Sequence, residues 1–518
     1  MHRQTRKAII IILWLILWQA AAAWMDNQIL LVGPLQVLRA FMQNIVRQDF
    51  LQIVLYSLVR IGMGFSLALI TGLLVGALSY RFPLVEELLA PVVQALKSVP
   101  VASFVVLLLI WFGSGRLSFF ISYLIVFPNV YVNTIAGLQS ADVRLLEMAE
   151  VFGMSRRNRF FYIYRPALAP HLVSCLKVSL GMSWKSGVAA EVIGLPDYSL
   201  GERLYMSKIY LDTAGLLAWT LTVILISFLF EKAVLRLIRA YEEWRPYPTG
   251  RRLGAGGAKR MRFGRTGNDN VGSGSGNRTG GGIKSDNGNR VRSDTLGNSS
   301  GKTADSENTG KDMGAGQHRQ QDVVSAAHIC KSYSTQQVLK DYSMTMEKGK
   351  RYVLMAPSGA GKTTLLRLLT RLDNIDAGQI TGMPDRVGMV FQEDRLCEEY
   401  DALCNILLGM DAVKRVDRTG ADIIEMVRRE AARILPEDCL EKPVRELSGG
   451  MRRRVALLRA VMCTSELLIL DEPFAGLDEE NRAHTAAWLL ENLKGRTLLV
   501  TTHREEDVEL LQALRLKI

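Results

Sequence analysis

The stretch Glu147–Pro166, EMAEVFGMSRRNRFFYIYRP, lies between two groups of long apolar segments. Its composition favours helix, and it carries the four arginines Arg156, Arg157, Arg159 and Arg165. A helix this polar cannot lie in hydrocarbon, and arginines accumulate in the cytoplasmic loops of membrane proteins. We therefore expect a cytoplasmic loop here, with membrane-spanning helices on either side.

Six apolar segments around this loop are predicted to span the membrane, since each approaches the ~20 residues that a bilayer requires. They cover residues 7–24, 53–79, 87–112, 117–138, 167–194 and 214–236. The second is rich in small residues, which let membrane helices approach closely. The third contains Pro91 and Pro100 and is expected to be broken at both.

With the amino terminus inside, six spans put residues 139–166 and everything after residue 237 in the cytoplasm. The basic residues expected on that side are Arg81, Arg144, Arg156, Arg157, Arg159, Arg236 and Arg239. The first segment also resembles a signal peptide, because it ends in QAAAAW, a small-residue sequence that could be cleaved. Its length and the spans that follow favour an uncleaved anchor.

Two ionisable residues, Lys185 and Glu191, fall within the fifth predicted span. Ionisable groups at membrane depth are costly and indicate either a substrate pathway or a pairing inside the helix bundle. We favour the second interpretation, with both residues near a helix end or paired within the bundle.

The composition agrees with a membrane protein that carries further domains. The net charge of +12 is accounted for by basic residues beside the apolar spans and in residues 249–321, so no nucleic-acid partner is expected. The six cysteines form no CxxC pair and show no zinc-finger spacing, which predicts reduced thiols.

Residues 249–321 consist mainly of Gly, Ser, Asn, Asp and Arg. Such a segment cannot bury enough apolar surface to offset the entropy cost of ordering, so we expect a disordered tether with a reach of roughly 45–50 Å. A regulatory role is the alternative, and a plain tether is favoured. The predicted domains are therefore residues 1–248, 249–321 and 322–518.

The sequence RYVLMAPSGAGKTTLLRLL predicts a buried strand, a glycine-rich turn and a helix, and matches the phosphate-binding pattern G-x4-G-K-[ST] except for alanine at its first position. Glycines there let backbone N–H groups surround phosphates, and the helix N-terminus adds positive potential. Lys362 is expected to reach the β- and γ-phosphates of ATP, and Thr363 to bind Mg²⁺. The predicted nucleotide-binding residues are Ala356, Pro357, Ser358, Gly359, Ala360, Gly361, Lys362, Thr363 and Thr364.

The sequence LLILDEPFAGLD predicts an apolar strand that ends in Asp471 and Glu472. A carboxylate at a strand end beside the glycine-rich turn can hold Mg²⁺ through water, and this is the role expected for Asp471. A second carboxylate can then polarise the attacking water, which makes Glu472 the predicted catalytic base.

The loop Glu147–Pro166 resembles the cytoplasmic loop of binding-protein-dependent ABC importer permeases, E-A-A-x3-G-x9-I-x-L-P. The matching residues are Glu147, Ala149, Gly153, Ile163 and Pro166, with Met148 and Arg165 as departures. The pattern indicates two short helices joined at Gly153, with Pro166 ending the second at the membrane. The resemblance implies that Glu147, Ala149, Gly153 and Pro166 couple the membrane domain to an ATPase.

Longer segments narrow the resemblance. Three segments resemble permeases of the nitrate, sulfonate and taurine type. They are SLVRIGMGF, LKSVPVASFVVLLLIWFGSG and NTIAGLQSADVRLLEMAEVFGMS. Similar permeases also serve thiamine-precursor pyrimidines, so the solute class stays open.

The sequence RELSGGMRRRVALLRA resembles the ABC signature, with Met451 in the usual place of glutamine. Ser448, Gly449 and Gly450 begin a helix, which makes a second anion site. In the family this site faces the nucleotide of the opposite ATPase, so the resemblance implies a homodimer with two ATP sites.

Three further segments resemble parts of the ABC ATPase. Gln392, after the strand MVFQ, is similar to the glutamine that senses the γ-phosphate and contributes to the metal site, and His503 is similar to the switch histidine. Ala475–Asp478 resembles the D-loop. Tyr333 is similar to the aromatic residue that stacks on adenine, with an ordinary edge residue as the competing interpretation.

Together these features predict a multidomain chain in which an α-helical transmembrane permease of about six helices precedes an α/β P-loop ABC ATPase. The expected function is ATP-driven import of a small solute across the cell membrane, with the ATPase in the cytoplasm and ATP and Mg²⁺ as cofactors. The expected partners are a second copy of the chain, an extracytoplasmic solute-binding protein and membrane lipid. An exporter would have long cytoplasmic helices instead of the compact loop, and a non-transport membrane ATPase is the remaining alternative.

Overall fold

The computed structural model describes residues 3–25, 27, 29–243, 323–334, 336–357, 359–410 and 420–517. These residues form two compact units, an all-helical amino-terminal unit and an α/β carboxyl-terminal unit. The predicted class, a helical membrane region followed by an α/β domain, is confirmed. The predicted tether, residues 249–321, and the boundary before it lie outside the described residues.

The amino-terminal unit consists of eleven helices in its described part. They are α1 (Arg3–Met25), α2 (Pro34–Val46), α3 (Phe50–Arg81), α4 (Pro83–Ser98), α5 (Val101–Phe112), α6 (Ser114–Gln139), α7 (Val143–Val151), α8 (Arg156–Arg159), α9 (Arg165–Gly194), α10 (Leu200–Ile209) and α11 (Thr213–Glu243). A π-helical turn, Phe160–Tyr164, joins α8 to α9.

Three of these helices are long and apolar enough to cross a membrane by themselves. They are α3, α6 and the part of α11 from Thr213 to Ile238. The pair α4 and α5 makes a fourth if it counts as one span. The predicted spans 7–24 and 167–194 coincide with α1 and α9, but the apolar part of α1, Ile9–Met25, is short, and α9 does not meet the same criterion. The number of six spans stays a prediction.

The predicted break in the third span occurs at one of the two prolines. α4 continues through Pro91, whereas the chain bends by 103° between α4 and α5, where Val99 and Pro100 lie. Val99 has the extended backbone (φ −75°, ψ 131°) that a residue before proline favours. Pro91 removes only one helical hydrogen bond, a loss that helices in a membrane protein tolerate. The prediction of a break at Pro91 was therefore wrong.

The closest helix packing in the amino-terminal unit depends on the glycines of α3. A Cβ atom added at Gly64 would lie 2.3 Å from the carbonyl oxygen of Phe119, and one at Gly76 would lie 2.8 Å from Cβ of Thr134. Both neighbours belong to α6, so α3 and α6 approach as closely as their backbones allow. The expectation that small residues in this span permit close approach is confirmed.

The polar loop contains the predicted helix–turn–helix, but its second helix does not end at Pro166. α7 ends before Gly153, whose φ of 61° favours glycine, and α8 begins after Ser155, whose hydroxyl accepts from Asn158 N. Pro166 lies in the first turn of α9, where its missing N–H costs little because first-turn N–H groups need no partner within the helix. The predicted stop at Pro166 was wrong.

Glu191 is fully buried near the end of α9, whereas Lys185 is exposed. The Oε2 atom of Glu191 accepts hydrogen bonds from Ser57 Oγ in α3 at 2.8 Å and from Gly201 N at the start of α10 at 3.2 Å. Leu200 N in turn donates to Ser57 Oγ at 3.0 Å. Glu191 therefore joins three helices, which favours the interpretation of pairing within the bundle.

The carboxyl-terminal unit has two sheets. The strands are β1 (Val323–Tyr333), β2 (Gln336–Glu347), β3 (Arg351–Met355), β4 (Ala377–Thr381), β5 (Val387–Val390), β6 (Leu467–Asp471), β7 (Thr497–Thr502) and β8 (Leu514–Lys517). One sheet has the order β5-β6-β7-β3-β8 and is parallel throughout, and the other is antiparallel with the order β2-β1-β4. Strands β5, β6 and β7 are entirely buried, as expected for a parallel sheet covered on both faces.

The described helices of this unit are α12 (Lys362–Leu369), α13 (Ala402–Gly409), α14 (Gly420–Ala431), α15 (Gly449–Met462), α16 (Glu479–Asn492) and α17 (Glu506–Leu511). Because the large sheet is parallel, the carboxyl ends of β3, β5, β6 and β7 all lie at one edge. The loops leaving this edge contain most of the predicted nucleotide-binding and catalytic residues. In open α/β sheets, ligands bind at this edge.

Candidate functional site

The glycine-rich turn joins the central strand β3 to α12. Gly359 has φ 83° and Gly361 has φ 95°, values that residues with a side chain rarely adopt. A Cβ added at Gly359 would have no atom within 4 Å, so the turn is open on that side. Ala356, where the pattern has glycine, does not adopt positive φ, and alanine is therefore compatible with the turn.

Lys362 is the first residue of α12, and its side chain folds back over the turn. The Nζ atom donates to the carbonyl oxygens of Ala356 at 2.5 Å and Pro357 at 3.2 Å. Thr363 follows in the first helical turn and is exposed. The turn therefore brings Ala356, Pro357, Gly359, Ala360, Gly361, Lys362, Thr363 and Thr364 together, while the predicted residue Ser358 lies outside the described residues.

Asp471 is the last residue of β6 and pairs in register with Thr501 of β7. It is 3% exposed, and the hydroxyl of Thr501 donates to its Oδ1 atom. Burial raises the pKa of the Asp471 carboxyl, and the charge of Glu472 adds to this increase. A bound cation would favour the ionised form of this carboxyl, and the metal-binding role of Asp471 stays a prediction.

Glu472 and His503, two predicted catalytic residues, lie next to each other. His503 Nδ1 is 3.5 Å from Oε1 of Glu472. Glu472 has a φ of 49°, which is uncommon for a residue other than glycine, and its backbone N donates to Thr501 O at 3.0 Å. The pairing of β6 with β7 thus fixes the start of the loop that presents the Glu472 carboxylate.

Gln392 follows β5 at the same sheet edge, and its side chain is exposed. β5 is the neighbour of β6, so the loop containing Gln392 leaves the sheet beside Asp471 and Glu472. The topology therefore gathers the third predicted catalytic residue at this edge.

The predicted signature residues lie at the start of α15. Ser448 is its N-cap, and the hydroxyl accepts from Met451 N at 3.4 Å. A Cβ added at Gly449 would meet no atom within 4 Å, whereas one at Gly450 would lie 3.3 Å from Gly476 O. The open turn at Ser448–Gly450 therefore packs against the segment Ala475–Asp478, which resembles the D-loop.

Tyr333 is the last residue of β1, in the smaller sheet, and is 42% exposed. Its hydroxyl donates to Oδ2 of Asp373 at 2.6 Å, and partial burial raises the pKa of the phenol. The anchored hydroxyl and exposed ring are compatible with both interpretations of this residue, an adenine-stacking aromatic and an edge residue.

Two arginines, one in each unit, hold neighbouring backbone segments of their own unit together. The sequence did not single out these roles. Arg453 of α15 is buried and donates to the carbonyl oxygens of Gln392 and Glu472, both at 3.0 Å. In the polar loop, Arg159 donates to the carbonyl oxygens of Met154 at 3.2 Å and Ala149 at 3.3 Å. Both belong to arginine-rich runs. A helix that carries consecutive arginines must direct some of them inward, and this was the only indication of their roles in the sequence.

Two protein families match the chain in separate regions. Residues 339–475 match the ABC transporter family, and residues 68–242 match the family described as binding-protein-dependent transport system inner membrane component. Each match covers less than half of the chain and is therefore a statement about one region. The carboxyl-terminal region is an ABC ATPase domain, and the amino-terminal region resembles the permease component of binding-protein-dependent transport systems, in a chain whose long apolar helices indicate a membrane protein.

Several curated relatives of the carboxyl-terminal region share the name sulfate/thiosulfate import ATP-binding protein CysA. The protein from Salmonella typhi is 34% identical over 200 residues, which make up 36% of this chain and 55% of that protein. The protein from Yersinia pestis is 34% identical over 196 residues, 35% of this chain and 54% of that protein. The chain thus spans about half the length of the curated relatives it matches.

Solved structures of ATP-binding cassettes also resemble part of the chain. A dimeric cassette in a post-hydrolysis state with ADP and Pi has a TM-score of 0.33 and 22% identity, covering 38% of this chain and 96% of that chain. A nucleotide-free cassette from an ABC transporter has a TM-score of 0.31 and 21% identity, covering 36% of this chain and 84% of that chain.

Proposed function

We propose that the chain is an ATP-driven importer in which permease and ATPase are fused. The observation that carries this proposal is the occurrence, in one chain, of a permease region of the binding-protein-dependent kind and an ABC ATPase domain. The open glycine-rich turn and the adjacent Glu472 and His503 support ATP hydrolysis. The compact loop Glu147–Pro166 supports import, since an exporter would be expected to have long cytoplasmic helices.

The solute is proposed to be a small anion delivered by a separate extracytoplasmic binding protein. The permease resemblance favours nitrate, sulfonates or taurine. Several curated relatives are named for sulfate and thiosulfate import instead, and these anions join the candidates. A thiamine-precursor pyrimidine is the alternative solute, and a membrane ATPase without transport is the less favoured alternative function.

In the proposed reaction, each residue at the sheet edge has a separate role. The turn at Gly359 and Gly361 directs backbone N–H groups toward the phosphates of ATP, and Lys362 exchanges its carbonyl contacts for the β- and γ-phosphates. Glu472 orients and polarises the attacking water. His503 lies beside the Glu472 carboxylate and helps to keep it in position. Mg²⁺, which would neutralise phosphate charge, would be held by Thr363, Gln392 and Asp471.

Two copies of the chain are proposed to form the working unit. The open turn at Ser448–Gly450 offers backbone N–H groups to an anion. By the family resemblance this turn completes the ATP site of the partner copy, so each dimer has two sites. Closure of the two ATPases on ATP would move the loops Glu147–Pro166, and the permease would alternate between its two openings. We place the ATPases on the cytoplasmic side of the cell membrane.

Uptake by the full chain, reconstituted in lipid vesicles with a co-purified binding protein, tests this function. The panel of solutes is nitrate, sulfate, thiosulfate, taurine, an alkanesulfonate and a pyrimidine. ATP-dependent accumulation of one of the anions is expected. Accumulation of the pyrimidine alone would replace the proposed solute class, and ATP hydrolysis without accumulation of any solute would favour the non-transport alternative.

Charge reversal in the polar loop tests its coupling role. The double change Arg156→Glu and Arg157→Glu is expected to reduce transport-coupled ATPase activity several-fold while ATP binding stays unchanged, because the loop lies in the permease region and contains no nucleotide-binding residue. Coupled activity is measured as ATP turnover with and without the binding protein and solute. ATP binding is measured with a fluorescent ATP analogue.

Arg236→Glu is the matched control, because it also reverses an exposed arginine expected on the cytoplasmic side. It should leave coupled activity close to that of the unmodified chain. If the double variant lost ATP binding at least as strongly as coupled activity, Arg156 and Arg157 would not be coupling residues.

A further inference from the structure

Arg453 is a buried arginine in the helix that begins at the signature residues. It is 3% exposed and lies in the second turn of α15, after Ser448 and Gly450. Its neighbours Arg452 and Arg454 are partly exposed, so the side chain of Arg453 is the one that the helix directs into the domain.

The guanidinium of Arg453 holds the segment that follows β5. Its Nη1 atom donates to Phe391 O at 2.6 Å and to Oδ1 of Asp394 at 3.1 Å. Its Nη2 atom donates to Gln392 O at 3.0 Å. The backbone of the proposed γ-phosphate sensor is therefore bound on both sides of Gln392 by one rigid planar group.

The same guanidinium holds the end of β6. Nη2 donates to Asp471 O at 3.2 Å and to Glu472 O at 3.0 Å. Glu472 has a φ of 49°, a region that residues other than glycine populate sparsely. Its N–H is fixed by Thr501 O and its carbonyl by Arg453, so both ends of this unusual residue have a hydrogen-bonding partner.

We propose that Arg453 is a positioning residue for ATP hydrolysis, which keeps Gln392 and Glu472 in fixed register with each other and with the signature helix. The proposal rests on the ATP hydrolysis assigned above. Without the guanidinium, the backbone at Glu472 can relax to more common angles and turn its carboxylate away from the attacking water. Misplacement of a catalytic group by ~1 Å can reduce a rate by about 10²-fold.

The competing explanation is that Arg453 only stabilises the fold, and the chain offers a matched control for it. Arg459 lies in the same helix, is 1% exposed, and donates through Nη2 to Asp394 O at 2.9 Å. This hydrogen bond holds the same loop that Arg453 holds, but at Asp394 and not at Gln392 or Glu472. Loss of Arg459 should resemble loss of Arg453 in stability and differ in catalysis.

The experiment compares Arg453→Met, Arg453→Lys and Arg459→Met in the full chain, using ATP turnover, binding of a fluorescent ATP analogue and thermal unfolding. Arg453→Met should lower kcat by about 10²-fold with KM and analogue binding within about threefold of the unmodified chain. Arg453→Lys should lose less kcat than Arg453→Met, because one ammonium group keeps the charge but reaches fewer of the five oxygen atoms that the two guanidinium nitrogens contact. Arg459→Met should unfold earlier and keep its kcat.

A parallel loss of kcat and stability in Arg453→Met and Arg459→Met would overturn the proposal, as would unchanged kcat in Arg453→Met. If Arg453→Met does not fold, Arg453→Lys decides, because its kcat must fall at unchanged KM. The test is separable from that of the proposed function. Absence of ATP turnover in the unmodified chain would contradict the proposed function, whereas turnover that survives in the Arg453 variants contradicts the Arg453 proposal alone.

Discussion

Replacement of Glu472 by glutamine should lower ATP turnover on the order of 10³-fold, the contribution typical of a general base. Glutamine has the same shape and keeps an oxygen atom beside His503, but it is neutral and cannot polarise the attacking water. ATP binding should persist, since the glycine-rich turn and Lys362 are unchanged, and solute uptake should stop. Turnover, binding of a fluorescent ATP analogue and vesicle uptake measure the three effects.

Glu505→Gln is the control for this change. Glu505 lies two residues after His503, is largely exposed, and pairs with Arg515 at 2.5 Å on the surface. A pair of this kind contributes little to stability, and turnover should be unaffected. Solute accumulation that survives in Glu472→Gln would contradict an importer driven by hydrolysis at this residue.

A second large effect is expected in the helical unit, where Gly64→Ala should destabilise the packing of α3 against α6. The added Cβ would lie 2.3 Å from the carbonyl oxygen of Phe119 and 3.0 Å from Cβ of Ser122. The nearest atom belongs to the backbone, so the two helices must separate, at a cost of about 1–3 kcal/mol as in other overpacked sites. Thermal unfolding of the detergent-solubilised chain and its uptake activity should both decrease.

Gly62→Ala provides the control on the same helix. A Cβ there would lie 3.8 Å from the ring of Phe230, which is ordinary contact. Alanine also restricts the unfolded chain, so this change should be neutral or slightly stabilising. Equal unfolding temperatures for the two variants would show that close contact between α3 and α6 does not limit the stability of the permease region.

The glycine-rich turn and the strand ends of the candidate nucleotide site were largely predictable because their sequence signals are local. A strand followed by glycines and Lys362 specifies a phosphate-binding turn within a dozen residues, and the apolar run before Asp471 specifies a strand end. The parallel order of the sheet then determines that these ends meet at one edge. Such patterns depend on backbone geometry that few residue types can adopt.

The role of Arg453 was not predictable, because direction on a helix depends on tertiary packing. Arg452, Arg453 and Arg454 are identical in sequence terms, and the register of α15 against the sheet decides which one is buried. The wrong predictions at Pro91 and Pro166 have a related cause. Each proline was assumed to end or break a helix, whereas α4 continues through the first and α9 contains the second in its opening turn.

The parallel arrangement of β3 and β7 also has a practical consequence for spectroscopy. The turns that lead into these strands contain Lys348 and Lys494. They lie at the edge of the sheet opposite the phosphate-binding turn, and both lysines are exposed. Five native cysteines are buried and the sixth, Cys330, is partly so. A single cysteine introduced at Lys494 should therefore take up a maleimide dye selectively, and a fluorophore there could follow movement of the ATPase during turnover without touching the reacting groups.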